Sequence, residues 1–295
     1  MAVPAVLVGV LFWGADMRKY SRGFFFLALA LAFSPLTAQG KGGLGDLMVM
    51  PTRVILEGRD RSAEIMLRNS GTEICTYRIF FQEMRMTPNG KVEVVPKEEG
   101  VLTATDLVMF TPKQVELLPG EIQTVRIHLR KPEGLKDGEY RSHMVFQGLP
   151  AVEPPKPMQA ETDNTVSFDI KTIVSISIPI IVRHGETSVS VNLSDMVFNN
   201  APKPDESPSM DLTMARRGNR SVQGEFKVDW LPTSGKPKTI LPIMGGVIYS
   251  ELESRTMHLD FPEAKGLPIK DGKLKVTYTF KDIKQQPVVA FLDIR

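Results

Sequence analysis

The chain reads as an all-β protein built from two immunoglobulin-like β-sandwich domains, and three observations carry that expectation. Short β-branched runs broken by turns recur along most of the 295 residues, against a background of 22 Pro and 23 Gly. Long amphipathic helical patterns are missing. The segment from Thr165 to Arg183 places Val166, Phe168, Ile170, Val174, Ile176, Ile178, Ile180 and Val182 at every second position, interrupted only by Thr172. Strand side chains alternate faces with period two, so this segment predicts one long strand with a single apolar face. At about 19 residues it exceeds the usual strand length of roughly 5 to 6 about threefold. Ser167, Asp169 and Lys171 fall on its opposite, polar face. The apolar face is either the core of its own sandwich or, in part, a surface offered to another protein.

The first residues stand apart from this pattern. Arg18, Lys19 and Arg22 form a basic start, Phe24 to Phe33 an apolar run, and small or turn residues follow to Ala38, so residues 1–38 read as a secretory signal peptide, with translation expected to begin at Met17. The apolar run is short of the roughly 20 residues a membrane span needs. A membrane anchor over residues 3–33 is the competing reading, interrupted by Asp16 and the three basic residues. Residues 39–46 form a flexible tail. Removing residues 1–38 takes away the net charge of +2 carried by the whole chain, so the mature protein is close to neutral and offers nothing that points to nucleic acid. The single Cys75 excludes an intramolecular disulfide, and its place in a strand-like run predicts a buried thiol acting as a small apolar group.

The first domain is expected over residues 47–183, with strands at Leu47 to Leu56, Ser62 to Arg68, Cys75 to Met86, Lys91 to Val95, Phe110 to Leu117, Glu121 to Leu129, Gly138 to Leu149 and Thr165 to Arg183. Turn residues separate them at Asn69-Ser70-Gly71, Pro88-Asn89-Gly90, Pro119-Gly120 and Lys136-Asp137-Gly138. The Pro-rich stretch from Ala151 to Asn164 reads as a mobile loop. The second domain is expected over residues 184–295, with strands near Ser188 to Leu193, Met210 to Arg216, Gly224 to Trp230, Gly246 to Leu252, Met257 to Asp260, Gly272 to Phe280 and Pro287 to Ile294. No linker intervenes, because Arg183-His184-Gly185 follows the long strand at once and predicts a short elbow.

The search for chemistry returns little. His128, His143, His184 and His258 lack metal-ligand spacing, and no nucleophile elbow or phosphate loop is present; Gly42-Gly43-Leu44-Gly45 has no strand before it. Glu98 and Glu99 read as a solvated loop and His128 as a strand residue facing water. These residues give no grounds for an enzyme, a metal or a cofactor. Three charges stand out among apolar strands: Arg53, Glu139 and Arg183. Each suits an edge charge that discourages aggregation, and Arg53 equally suits a carboxylate receptor, since a guanidinium matches a carboxylate fork.

At these residues the chain resembles the periplasmic chaperones of the chaperone-usher pathway of pilus assembly. PTRVILEG resembles their first-strand motif with its Arg, SAEIMLRNSGTEICTYRI the second and third strands, and FTPKQVELLPGEIQTVRI the segment that follows. KDGEYRSHMVFQGLP resembles their acidic strand and PIIVRHG the end of their long strand, so the resemblance spans nearly all of the mature chain. It implies two domains arranged as a boomerang, periplasmic localisation and no cofactor. The implied partners are pilin-like subunits, held by donor-strand complementation, and an outer-membrane usher. The alternative is a secreted two-domain adhesin or structural surface protein on the same fold.

The resemblance also assigns residues. Val166, Phe168, Ile170, Thr172, Val174 and Ile176 take the place of the donor strand, in which four buried side chains would contribute on the order of 6 to 12 kcal/mol before association costs. Arg53 takes the place of the anchor for the subunit's terminal carboxylate. The family's second basic residue, on the long strand, corresponds here to Pro179, and the nearest basic residue on that strand besides Arg183 is Lys171. Glu139, Arg183 and Asp271 take the places of an interdomain salt bridge. The cysteine pair of the long-loop subclass is absent, whereas residues 151–164 exceed the loop of the short-loop subclass.

Overall fold

The computed structural model describes residues 46–150, 173–200 and 206–294. The expected signal peptide, almost all of the tail, the loop at 151–164 and the first part of the long strand, including Val166, Phe168, Ile170, Lys171 and Thr172, lie outside these residues.

Among the described residues, eleven strands and one helical turn precede the elbow: β1 Leu47–Met50, β2 Val54–Leu56, β3 Ser62–Asn69, β4 Cys75–Gln82, β5 Met84–Met86, β6 Val92–Val94, α1 Ala104–Leu107, β7 Val108–Thr111, β8 Gln114–Leu117, β9 Ile122–Leu129, β10 Gly138–Leu149 and β11 Ser175–His184. They form one sheet in the order β1-β3-β9-β7 and a second in the order β2-β11-β10-β4-β8, with the β5–β6 hairpin apart. Alternation explains the packing: Ile65 and Leu67 of β3, Val125 and Ile127 of β9, Tyr77 and Ile79 of β4, Met144 and Phe146 of β10, and Ile178, Ile180 and Val182 of β11 all point into one core. Buried Asn69 fixes the first turn, donating from Nδ2 to the carbonyls of Glu73 and Leu117 at 2.7 and 3.0 Å and accepting from Gly71 N at 2.9 Å. Cys75 is buried and unpaired.

Seven strands follow: β12 Val189–Asn199, β13 Ser209–Gly218, β14 Val222–Leu231, β15 Lys238–Ile248, β16 Ser254–Asp260, β17 Gly272–Phe280 and β18 Val288–Ile294. Their sheets run β12-β13-β16 and β15-β14-β17-β18, closing on a second core that includes Met210, Leu212, Phe226, Val228, Leu259, Val276 and Tyr278. A smaller cluster of Met86, Ile181 and Tyr249, flanked by Ile55, Val247 and Leu252, joins the two sandwiches.

Prolines account for most differences from the expected strands. The run from Leu47 to Leu56 splits at Pro51: β1 pairs with β3 in one sheet, while β2 pairs in parallel with β11 in the other. The run from Phe110 to Leu117 likewise splits around Pro112 into β7 and β8, which pair with β9 and β4. Proline cannot donate to a ladder, and these are the points where the chain changes sheets. β15 begins at Lys238, well before the expected Gly246, because the register with β14 slips between Phe226↔Met244 and Val228↔Leu241. Pro242 and Ile243 sit in the resulting bulge and disguise the strand. The short helix α1 was not anticipated. At its start Thr103 N donates to Asp106 Oδ2 at 2.9 Å, and Asp106 N to the Thr103 carbonyl at 3.1 Å.

The first part of the expected long strand, residues 165–172, lies outside the described residues. Among the described residues the strand runs from Ser175 to His184, and Ile173 and Val174 precede it.

Candidate functional site

On β10 and β11, Glu139, Arg141, His143, Ile181 and Arg183 point away from the first core and meet residues of the second sandwich. Register places Glu139 opposite Arg183, Arg141 opposite Ile181 and His143 opposite Pro179. From the second sandwich, Arg220 and Ser221 arrive just before β14, Tyr249 and Glu251 just after β15, and Asp282 just after β17.

Arg183 is the centre of this joint. Its side chain is 1% exposed and meets three carboxylates. Nε donates to Glu139 Oε2 at 3.0 Å, Nη1 to Glu57 Oε2 at 3.1 Å and Nη2 to Asp282 Oδ2 at 2.7 Å. Arg220 bridges the same acids from the other side, 3.4 Å from Glu57 Oε1 and 3.5 Å from Asp282 Oδ2. Ser221 donates to Glu139 Oε2 through both N and Oγ, at 3.1 and 2.9 Å. Burial alone would pull the Arg183 guanidinium below its ordinary range, but its bonds to Asp282 and Glu139 outweigh burial and hold it above that range.

Glu139 and Arg183 therefore meet, but the third partner is Asp282 and not Asp271. Ser221 stands at the joint and β14 begins beside it, so the antiparallel β17 reaches the joint with its end, where Phe280 pairs with Gly224. Asp271 precedes the opposite end of β17, roughly 30 Å away at the rise of a strand. There it occupies a left-handed turn with φ +57. Its carbonyl accepts from Trp230 Nε1 at 3.2 Å. Glu57, Arg220 and Asp282 escaped the sequence reading because each lies in a turn, where no periodicity reports on its direction.

A second group surrounds Tyr249. Arg53 donates from Nη2 to Ser221 Oγ at 3.1 Å, with its ζ-carbon 5.5 Å from the Tyr249 ring centroid. Arg141 stacks closer, at 3.9 Å, and pairs with Glu251, whose Oε1 also accepts from Met86 N at 2.8 Å. His143 meets the same ring edge-on at 6.2 Å between centroids. Burial, reinforced by the guanidinium groups of Arg141 and Arg53, pushes His143 down to about 3, so its imidazole is neutral near neutral pH. Burial also lowers Arg53 from its ordinary value.

Of the remaining expected residues, Val174 and Ile176 fall among those described. Ile176 is half-buried against the first core, while Val174 lies just ahead of the strand. Gly148 N donates to Val174 O at 3.0 Å, which directs the backbone groups of even-numbered residues toward β10. Those of odd-numbered residues face the other edge. β2 covers that edge only from Ile180 to Val182. From Ser175 to Pro179 no strand among the described residues pairs with it. Pro179 is accommodated because its nitrogen, which has no hydrogen to donate, faces this open edge.

Comparison with protein-family models finds no match, and comparison with curated proteins finds none. Among solved structures, the chain is similar to the class 5 fimbriae chaperone CfaA at 15% identity and a TM-score of 0.43, over 83% of this chain and 98% of that one. It is similar to a chain of the CsuC–CsuE chaperone–tip adhesion subunit complex from the archaic Csu pili of Acinetobacter baumannii at 14% identity and a TM-score of 0.42, over 82% and 97%. It is also similar to a chain of the Salmonella enterica SafA pilin–SafB chaperone complex at 11% identity and a TM-score of 0.40, over 83% and 96%.

Proposed function

We propose that the chain is a periplasmic chaperone that holds pilin-like subunits by donor-strand complementation and passes them to an outer-membrane usher. The observation that carries this reading is the open edge of β11 from Ser175 to Pro179. An incoming strand finds there the N–H and C=O groups of Ser175 and Ser177 and the carbonyl of Pro179, and main-chain hydrogen bonds supply the affinity of strand addition. Specificity comes from side chains at alternate positions. Ile178, Ile180 and Val182 are committed to the first core. The lending residues are then Val174 and Ile176 together with Val166, Phe168, Ile170 and Thr172, which continue the same alternation in sequence. Arg53 anchors the subunit's terminal carboxylate, and the Arg183 cluster holds the two sandwiches in a fixed relation around it.

Co-expression with a candidate pilin-like subunit tests this reading. A one-to-one periplasmic complex is expected, and Ile170→Asp and Val174→Asp are expected to abolish it while leaving the circular dichroism of the free protein unchanged. Intact complex in both variants would contradict the proposal.

A further inference from the structure

Among the described residues, the methionines that stand exposed are Met48, Met50, Met66 and Met109, and all four lie on the outer face of the β1-β3-β9-β7 sheet. Methionine is an unusual choice there. Strands favour β-branched and aromatic residues, and the usual place of methionine is a core gap that its flexible thioether fills. Register draws three of the four together. Met50 is the direct partner of Met66, and Met48, which pairs with Arg68, is two residues from Met50 on the same face. Opposite partners hold their Cβ atoms about 4.5 to 5.5 Å apart, and a diagonal such as that from Met48 to Met66 spans about 7 to 8 Å. Each side chain adds three rotatable bonds, so the three sulfurs can turn toward one point above the sheet. A hollow marks this part of the face, lined by Met50, Pro51, Thr52, Glu64, Met66 and Thr124. Met109 stays apart, because its partner His128 is four residues along β9 from Thr124, the partner of Met66, or roughly 13 Å.

The geometry points to a site for one soft monovalent cation, Cu(I) or its analogue Ag(I), held by the thioether sulfurs of Met48, Met50 and Met66. A thioether is a neutral, polarizable donor that suits soft Cu(I), whereas Zn(II) takes thiolate, imidazole or carboxylate and Ca(II) and Mg(II) take oxygen. Among the described residues no three His, Cys, Asp or Glu side chains gather to hold a metal, so these harder ions find no competing set of such ligands there. Leucine would cover the same surface, but only the thioether has a lone pair to give. The charges nearby are Arg68, opposite Met48, and Glu64, which lines the hollow and pairs with Arg126 at 3.2 Å. Glu64 and Arg126 are about two-thirds exposed, so water and salt screen them and the sulfurs decide the binding. β11 belongs to the other sheet, and the site therefore stands or falls independently of strand addition.

The test titrates Ag(I) nitrate, in chloride-free buffer, into the full chain labelled with carbon-13 at its methionine methyl groups and carrying Cys75→Ala, so that the buried thiol cannot compete. Binding followed by calorimetry is expected to saturate at one equivalent. At that point the methyl signals of Met48, Met50 and Met66 should have moved together, while those of buried Met144 and Met210 stay in place. Cu(I), added without oxygen, should move the same three signals, and Zn(II) should move none of them. Met66→Leu keeps the apolar surface and removes one sulfur, and should weaken Ag(I) binding by about tenfold or more. Leucine at all three positions should abolish binding while leaving the circular dichroism unchanged. Absence of saturable Ag(I) binding by the chain with all three methionines would overturn the site. So would undiminished affinity in the folded triple-leucine variant, or movement of the same three signals by Zn(II).

Discussion

Arg183 Nη2 and Asp282 Oδ2 lie 2.7 Å apart, in side chains only 1% and 7% exposed, and the bond ties the end of β11 to the turn after β17. One residue from each sandwich is thereby buried with its charge compensated. Coulomb attraction in this setting is strong, but desolvation offsets much of it. The consequence appears on removal of one partner, because the other charge is then stranded.

Asp282→Ala is expected to destabilise the folded chain by about 3 to 5 kcal/mol, the range for breaking a buried pair. Asp271→Asn, at the far end of β17 in a turn that asparagine tolerates, should change stability by less than about 0.5 kcal/mol. Urea unfolding of both variants measures the contrast. Equal losses would remove Asp282 from the joint.

Stability should fall with acid through His143. Its folded value, near 3, lies below the roughly 6.5 of an unfolded histidine. Above pH 6.5 neither state binds the proton and the contribution is fully present. Below it the unfolded state binds a proton that the folded state, with Arg141, Arg53 and Tyr249 around the ring, refuses. From about pH 6.5 down to pH 5, before most carboxylates titrate, the loss of stability from this group alone should steepen toward about 1.4 kcal/mol per pH unit. His143→Gln should flatten that slope by about one proton in denaturant midpoints measured across the window.

The elbow itself depends on Gly185, which adopts φ +63 with Asp137 Oδ1 only 1.7 Å from where a Cβ would stand. Asp137 Oδ2 accepts from Glu186 N at 3.1 Å, so the aspartate cannot move aside without losing that bond. Gly185→Ala should therefore cost about 1 to 3 kcal/mol in thermal or urea unfolding. Asp137→Ala should recover part of that loss in the double variant.

Much of the architecture was legible because period-two alternation reports directly on sheet faces. β3, β9, β10 and β17 stand where the runs of Ser62, Glu121, Gly138 and Gly272 predict them. What alternation could not report was pairing. Nothing local distinguishes a strand that changes sheets at Pro51 from one that continues, and Pro242 hides β15 inside a bulge. The joint shows the same division. Glu139 and Arg183 lie on strands and were found, whereas the choice between Asp271 and Asp282 depends on which end of β17 faces the first sandwich. That is a property of topology and not of either turn. Arg141 and Tyr249 fall inside the expected strands at Gly138 to Leu149 and Gly246 to Leu252, and nothing local marks them as neighbours of Arg53.

The central claim is that β11 lends its open edge to a partner strand, and amide hydrogen exchange of the free protein and of its complex with a co-expressed subunit tests it most directly. In the free protein the amides of Ile176 and Ile178, which face β10, should exchange slowly, and those of Ser175 and Ser177 should exchange fast. In the complex the two serine amides should become protected by about a hundredfold or more, as expected when an exposed donor joins a ladder. Serine amides that are already slow in the free protein, or that stay fast in the complex, would contradict the account.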